Sequence, residues 1–150
     1  MSSQVDVAAE RFARGFNCAQ AVFSAYAPSF GVEDENALRI STGFGAGMGR
    51  LQETCGAVTG AIMVIGCRHG MVDPKDSAAK ETAYAEVQDF ALRFHALHRT
   101  TSCKELLGCD LTSAEGRREF KEKGLAERVC TFCVRDACTI LEETVLNDGN

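Results

Sequence analysis

The chain has 150 residues, 45% hydrophobic and 25% charged, with eight cysteines and a net charge of −5. This length suits one domain that buries roughly 70% of the surface its unfolded form exposes, and the composition excludes disorder. The 16 basic residues are scattered among 21 acidic ones, so there is no electrostatic footprint for nucleic acid.

Residues 4–14 read as an amphipathic helix ended by Gly15. The N-terminal residues before and within it lack the basic start and apolar stretch of a secretory signal. Asn17-Cys-Ala-Gln20 resembles a capping box that opens a helix to about Ala27, before Pro28. Asp34 caps a short helix to about Ser41. A glycine-dense turn follows at 43–49, where missing Cβ atoms permit unusual backbone angles and close approach.

The next helix is expected over 52–67. Ala57, Val58, Ala61, Ile62, Met63, Val64 and Ile65 make it apolar all round, which predicts a central helix covered on every side. Gly56 and Gly60, four apart, would let a neighbouring helix lie close. The apolar run of 54–67 is too short for a membrane span. Asp73-Pro74 opens a long helix to about His98, with Ala79, Ala83, Val87, Phe90, Phe94 and Leu97 as its buried stripe. Ser102-Cys-Lys-Glu105 is a capping box for a short helix ending at Gly108, and Thr112-Ser-Ala-Glu115 opens another to about Lys123. A last helix is expected over 125–146, facing inward through Ala126, Val129, Cys130, Cys133, Ala137, Ile140, Leu141 and Thr144. The expected fold is a single all-α domain, a compact multi-helix bundle around the central helix, in a cytoplasmic protein with no membrane partner.

A reducing compartment leaves eight cysteines unexplained as disulfides. Free cysteine packs well as a small apolar residue, but three of these sit at expected helix starts. Cys18 follows a capping Asn, Cys103 follows a capping Ser, and Cys55 lies in or near the first turn of the central helix. There, unpaired N–H groups and the positive end of the helix dipole favour the thiolate. Cys130 adds a fourth thiol on the last helix. No local Cys-x-x-Cys knuckle joins these four, so they meet only through tertiary folding. Four thiolates suit a tetrahedral zinc or an iron–sulfur cluster, and N–H groups of Gly45, Gly47 and Gly49 are candidates to approach the sulfurs of a negatively charged cluster.

Asn17-Cys-Ala-Gln-Ala-Val22, Phe44-Gly-Ala-Gly-Met-Gly49, Thr54-Cys-Gly-Ala-Val-Thr-Gly60, Ser102-Cys-Lys-Glu-Leu-Leu-Gly108 and Cys130 occur in the order of the C_GCAxxG_C_C family of redox-active proteins, which the chain resembles over nearly its whole length. The resemblance implies Cys18, Cys55, Cys103 and Cys130 as the characteristic set. A related domain accompanies haem in split-Soret cytochromes, which by analogy implies an iron–sulfur centre, taken here as [2Fe–2S]. Without Cys-x-x-Cys-His no c-type haem is expected. Cys67, Cys109, Cys133 and Cys138 stand outside the pattern. Cys133 shares a helix face with Cys130, so either is a candidate for the last ligand, or the two for a dithiol.

His95 and His98 diverge around their helix and read as a surface histidine beside a partly buried one. Arg50 reads as a surface or interface residue, since the turn before it lacks the Gly-Lys-Ser/Thr of a phosphate loop. No Gly-x-Ser-x-Gly elbow supports a hydrolase. Three functions remain. The first is a metal-centred redox protein with a redox partner protein, and possible homodimerisation. The second is a thiol–disulfide oxidoreductase using Cys55 and a resolving cysteine. The third is a zinc-binding or non-catalytic helical adaptor.

Overall fold

The computed structural model describes residues 3–147. The Ser3 side chain accepts from the Asp6 amide and opens α1 (Gln4–Ala13). Asn17 opens α2 (Cys18–Tyr26) with the full reciprocal box: its side chain accepts from the Gln20 amide while Gln20 accepts from the Asn17 amide. A 3₁₀ turn at Ala27–Phe30 leads to α3 (Asp34–Ser41), where Glu33 rather than Asp34 holds the cap position. The remaining helices are α4 (Gly56–His69), α5 (Ser77–His98), α6 (Cys103–Leu107), α7 (Ala114–Glu122) and α8 (Thr131–Glu143). No strand occurs among the described residues, and the all-α bundle expected from the sequence is the fold observed. No helix among those residues is long and apolar enough to cross a membrane.

Several boundaries differ from expectation. The central helix starts at Gly56, not near Gln52, because residues 52–55 are pairing elsewhere. Thr54 bridges Ser102 antiparallel, the Cys55 amide donates to Thr101 O, and the Cys103 amide donates to Glu53 O. The long helix starts at Ser77 under an Asp76 cap, because Asp73-Pro74 forms a turn in which the Asp76 amide donates to Asp73 O. The last helix is interrupted: Ala126–Cys130 is a π-helical turn, and only then does α8 begin. The α7 cap is Ser113 rather than Thr112.

Packing follows from small residues at the crossing of α2 and α4. A Cβ on Gly60 would lie 2.9 Å from Ala19 O and 3.1 Å from the Val22 Cβ, so only glycine lets α2 lie this close. Seven of the nine residues of α2 are buried, from Ala19 to Tyr26 with Gln20 excepted, which makes α2 as central as α4. Helix α4 is not covered all round, since Ile62 and Met63 are half-buried and Gly66 is exposed. On α5 the buried pair is Phe90 and Phe94, while Ala79, Ala83 and Val87 are half-buried and Leu97 is 60% exposed. The inner ladder continues from Phe94 to His98, whose rings lie 4.6 Å apart, and this i,i+4 step turns Leu97 outward.

The main core gathers Val22, Val58, Val64, Ile65, Phe90, Phe94, Val134 and Leu141. A second, smaller cluster holds Cys103, Leu107, Cys109 and Leu111, with Phe120, Val129 and Cys130 packed on it. The two meet along a line of cysteines.

Candidate redox site

Five thiols, those of Cys18, Cys55, Cys103, Cys130 and Cys133, line one cavity of about 620 Å³ between the two clusters. Each arrives by a traceable local route. Cys18 is the first residue of α2 and Cys103 the first of α6, after their capping Asn17 and Ser102. Cys55 is itself the residue before α4, and the bridge between residues 54 and 102 sets it beside Cys103. Gly56 brings Cys18 in: a Cβ there would lie 3.2 Å from the Cys18 Cβ and 3.0 Å from Ala19 N. Cys130 ends the π turn and Cys133 lies in the first turn of α8, so Val129, Cys130 and Cys133 all reach the cavity wall.

The wall opposite is a left-handed run. Ala46, Gly47, Met48, Gly49 and Arg50 have φ of 55°, 65°, 70°, 57° and 69°, and Gln52 has 58°. Left-handed residues other than glycine usually occur singly and cost about 1–2 kcal/mol each, so four non-glycine residues here mark a backbone held in place by its surroundings. The Gln52 amide donates to Ala46 O and the Glu53 amide to Gly47 O. Buried Gln52 then ties this run to the second cluster, its side chain donating to Cys109 O and accepting from the Leu111 amide, both at 2.8 Å. Gly47 lines the cysteine cavity, and a Cβ on it would sit 2.8 Å from the Cys103 Cβ. Gly45 and Gly49 instead line a neighbouring depression with Asn17, Ala46 and Arg50.

The thiols do not share one ionisation behaviour. Cys133 lies beside the Cys55 sulfur, and the Ala57 and Val58 amides face the same atom. Together they hold Cys55 below the ordinary thiol range against the opposing effect of burial. Cys133 is pushed up by that contact and by burial. Cys18 is pushed up by its contact with Cys130, by burial and by the charges of the neighbouring thiols. Cys103 is pushed up to about 12, by burial first and then by Cys55 and Cys130. A helix start lowers a thiol pKa when amides reach the sulfur; here burial and neighbouring sulfurs outweigh it at Cys18 and Cys103, and only Cys55 follows the expectation.

Cys67, Cys109 and Cys138 lie off the cavity. Cys138 is buried beside Tyr26 and pushed up to about 12 by burial. His95 is exposed and His98 half-buried, as their spacing suggests, but His98 also reaches the site: its Nδ1 lies 3.9 Å from Cys133 Sγ and its Nε2 2.8 Å from Asp136. Gln52, His98 and the cations Arg117, Arg118 and Lys121 on the cavity wall carry no sequence signal beyond their residue type.

Among the described residues no three Cys, His, Asp or Glu side chains sit close enough together to hold one metal ion. A tetrahedral zinc would need four sulfurs at about 2.3 Å from one point. A multi-iron cluster takes its thiolates on different iron atoms and so fits thiols arranged around a space. Neither a curated protein nor a solved structure matches the chain. The family described as "Putative redox-active protein (C_GCAxxG_C_C)" matches residues 16–144, a span that contains every one of these thiols and the glycine run between them. The chain belongs to this family of redox-active proteins.

Proposed function

We propose that the protein carries an iron–sulfur cluster, [2Fe–2S] in type, held by Cys18, Cys55, Cys103 and Cys130, and that it transfers or senses electrons in a reducing, cytoplasmic setting. The observation that supports this is the meeting of five thiols from separate elements around one cavity. The cluster would supply one-electron chemistry. The chain's own part is to place the four sulfurs, to exclude water with the Leu107 and Leu111 side of the cavity, and to bring the Gly47 backbone within reach of Cys103. Cys133 is read as the close neighbour of Cys55 rather than a ligand.

The test is purification without oxygen followed by an absorption spectrum and iron and sulfide analysis. Brown protein with two irons and two sulfides per chain is the expected result, lost in Cys18→Ser, Cys55→Ser, Cys103→Ser and Cys130→Ser but kept in Cys67→Ser. Colourless protein, or protein with stoichiometric zinc, overturns the reading. The opposed ionisation of Cys55 and Cys133 favours one second reading, a dithiol that exchanges with an external disulfide. In that exchange the two protein thiols become one disulfide, and the external disulfide leaves as two thiols. Metal-free protein that cycles this way in a glutathione buffer selects it.

A further inference from the structure

We infer that the cavity also binds a small organic anion with an apolar body, its charge seated on Arg117, Arg118, Lys121 and Arg50. The binding itself stands apart from the cluster; only the ligand's role as an electron-transfer partner or regulator rests on the redox reading.

Charge is the first support. The chain carries 21 acidic residues against 16 basic ones, yet four cations line this cavity and no Asp or Glu does. Three of them come from α7, with Arg117 and Lys121 one turn apart on the same face. None of the ion pairs among the described residues uses any of the four. Arg117 is half-buried and fixed, its Nη1 donating to Leu111 O at 2.9 Å, and a guanidinium has further donors in the same plane.

Size and polarity are the second. A cluster of a few inorganic atoms is much smaller than 620 Å³, a volume within the range of small-molecule sites. The rest is walled by Leu106, Leu107, Leu111 and Phe120, a surface for a hydrocarbon or aromatic body. Cations beside an apolar wall select an amphiphilic anion over a neutral molecule of the same shape, Arg117 from its half-buried place and Arg50, Arg118 and Lys121 from the exposed rim. An alternative use of the cations is to offset the negative charge of the sulfur centre, and the experiment separates the two.

Protein purified without oxygen is titrated with the fluorescent arylsulfonate ANS and then with decanoate or decanol as displacing ligands. Decanoate is expected to displace the dye at least tenfold more effectively than decanol, less so at high salt. The double variant Arg118→Gln/Lys121→Gln is expected to weaken decanoate at least tenfold, with decanol unchanged and iron content unchanged. Arg50→Gln tests the opposite rim and weakens decanoate in the same direction. Equal displacement by the two ligands, no displacement, or a double variant that binds decanoate as the parent does overturns the inference. So does a folded double variant that loses its iron while keeping decanoate affinity, which assigns the cations to the centre. Metal-free protein that still prefers decanoate upholds the inference even where the cluster reading fails.

Discussion

Cys133 and Cys55 lie side by side and ionise in opposite senses: Cys55 is held below the ordinary thiol range and Cys133 above it, their mutual contact being the largest cause of each shift. Cys55 thus ionises before Cys18, Cys103 and Cys133, all of which are pushed up. In metal-free protein its alkylation by iodoacetamide should rise through a midpoint below 9, the ordinary thiol value. Cys133→Ala removes the neighbour that most lowers Cys55 and should move that midpoint upward while leaving alkylation of Cys67 unchanged. Peptide mapping after timed alkylation at several pH values reads both sites. An unmoved Cys55 midpoint would show that the Ala57 and Val58 amides alone hold the thiolate.

The other buried thiols make a prediction of opposite sign. Cys103 and Cys138 are each pushed up to about 12 from the ordinary 9.0, largely by burial. Between these values the unfolded chain releases both protons while the folded chain keeps them, so rising pH favours unfolding. Their contribution to stability is complete below pH 9 and is lost upward, by at most about 1.4 kcal/mol per pH unit for each thiol. Urea midpoints of metal-free protein should fall steadily from pH 8 to pH 10.5. Cys138→Ala should show a shallower fall from a lower starting value.

Close approach of α2 to α4 gives the third. Gly60→Ala places a Cβ against Ala19 O and Val22, and should destabilise by about 1–3 kcal/mol. Gly56→Ala presses on the Cys18 Cβ and Ala19 N, so it should also lower the iron retained per chain. Gly66→Ala, in the same helix with nothing within 4 Å of the added atom, should stabilise by about 0.5–1 kcal/mol. Thermal melts of the three variants, with iron analysis beside them, separate packing from helix propensity.

These same glycines show which features the sequence reveals. Gly56 and Gly60 announce a close helix crossing because the spacing of four is a local pattern, and the box of Asn17 and Gln20 places the start of α2 correctly for the same reason. The start of α4 is hidden because residues 52–55 are held by residues 101–104, a pairing no local window contains. The left-handed run is only half-visible: glycines at 47 and 49 suggest it, but Ala46, Met48 and Arg50 carry no such mark. Cys18, Cys55 and Cys103 stand out by their helix-start placement, and Cys130 by the family motif. The shared approach of Cys133 depends on the π turn, and the cations of α7 look like any solvated helix face until the cavity beside them is seen.

Gln52 is where the left-handed wall and the second cluster are joined, and it carries the last prediction. Its side chain is buried, and both of its ends are used, on Cys109 O and on the Leu111 amide. Gln52→Leu keeps the volume and orphans both backbone groups, each worth about 1–3 kcal/mol when left buried without a partner. The expected loss is about 2–4 kcal/mol, a fall in Tm of roughly 5–15 °C for a chain of this size. The amide also holds the Cys103 pKa down, so its removal should push that thiol further up. Gln52→Glu discriminates between size and bonding. A carboxylate still accepts from the Leu111 amide but cannot donate to Cys109 O, so it should destabilise at neutral pH and recover as the acid is protonated. Melts of both variants across pH 5 to 8 read this directly: a Glu variant indifferent to pH would mean that the segment 109–111 is held by packing and not by this side chain.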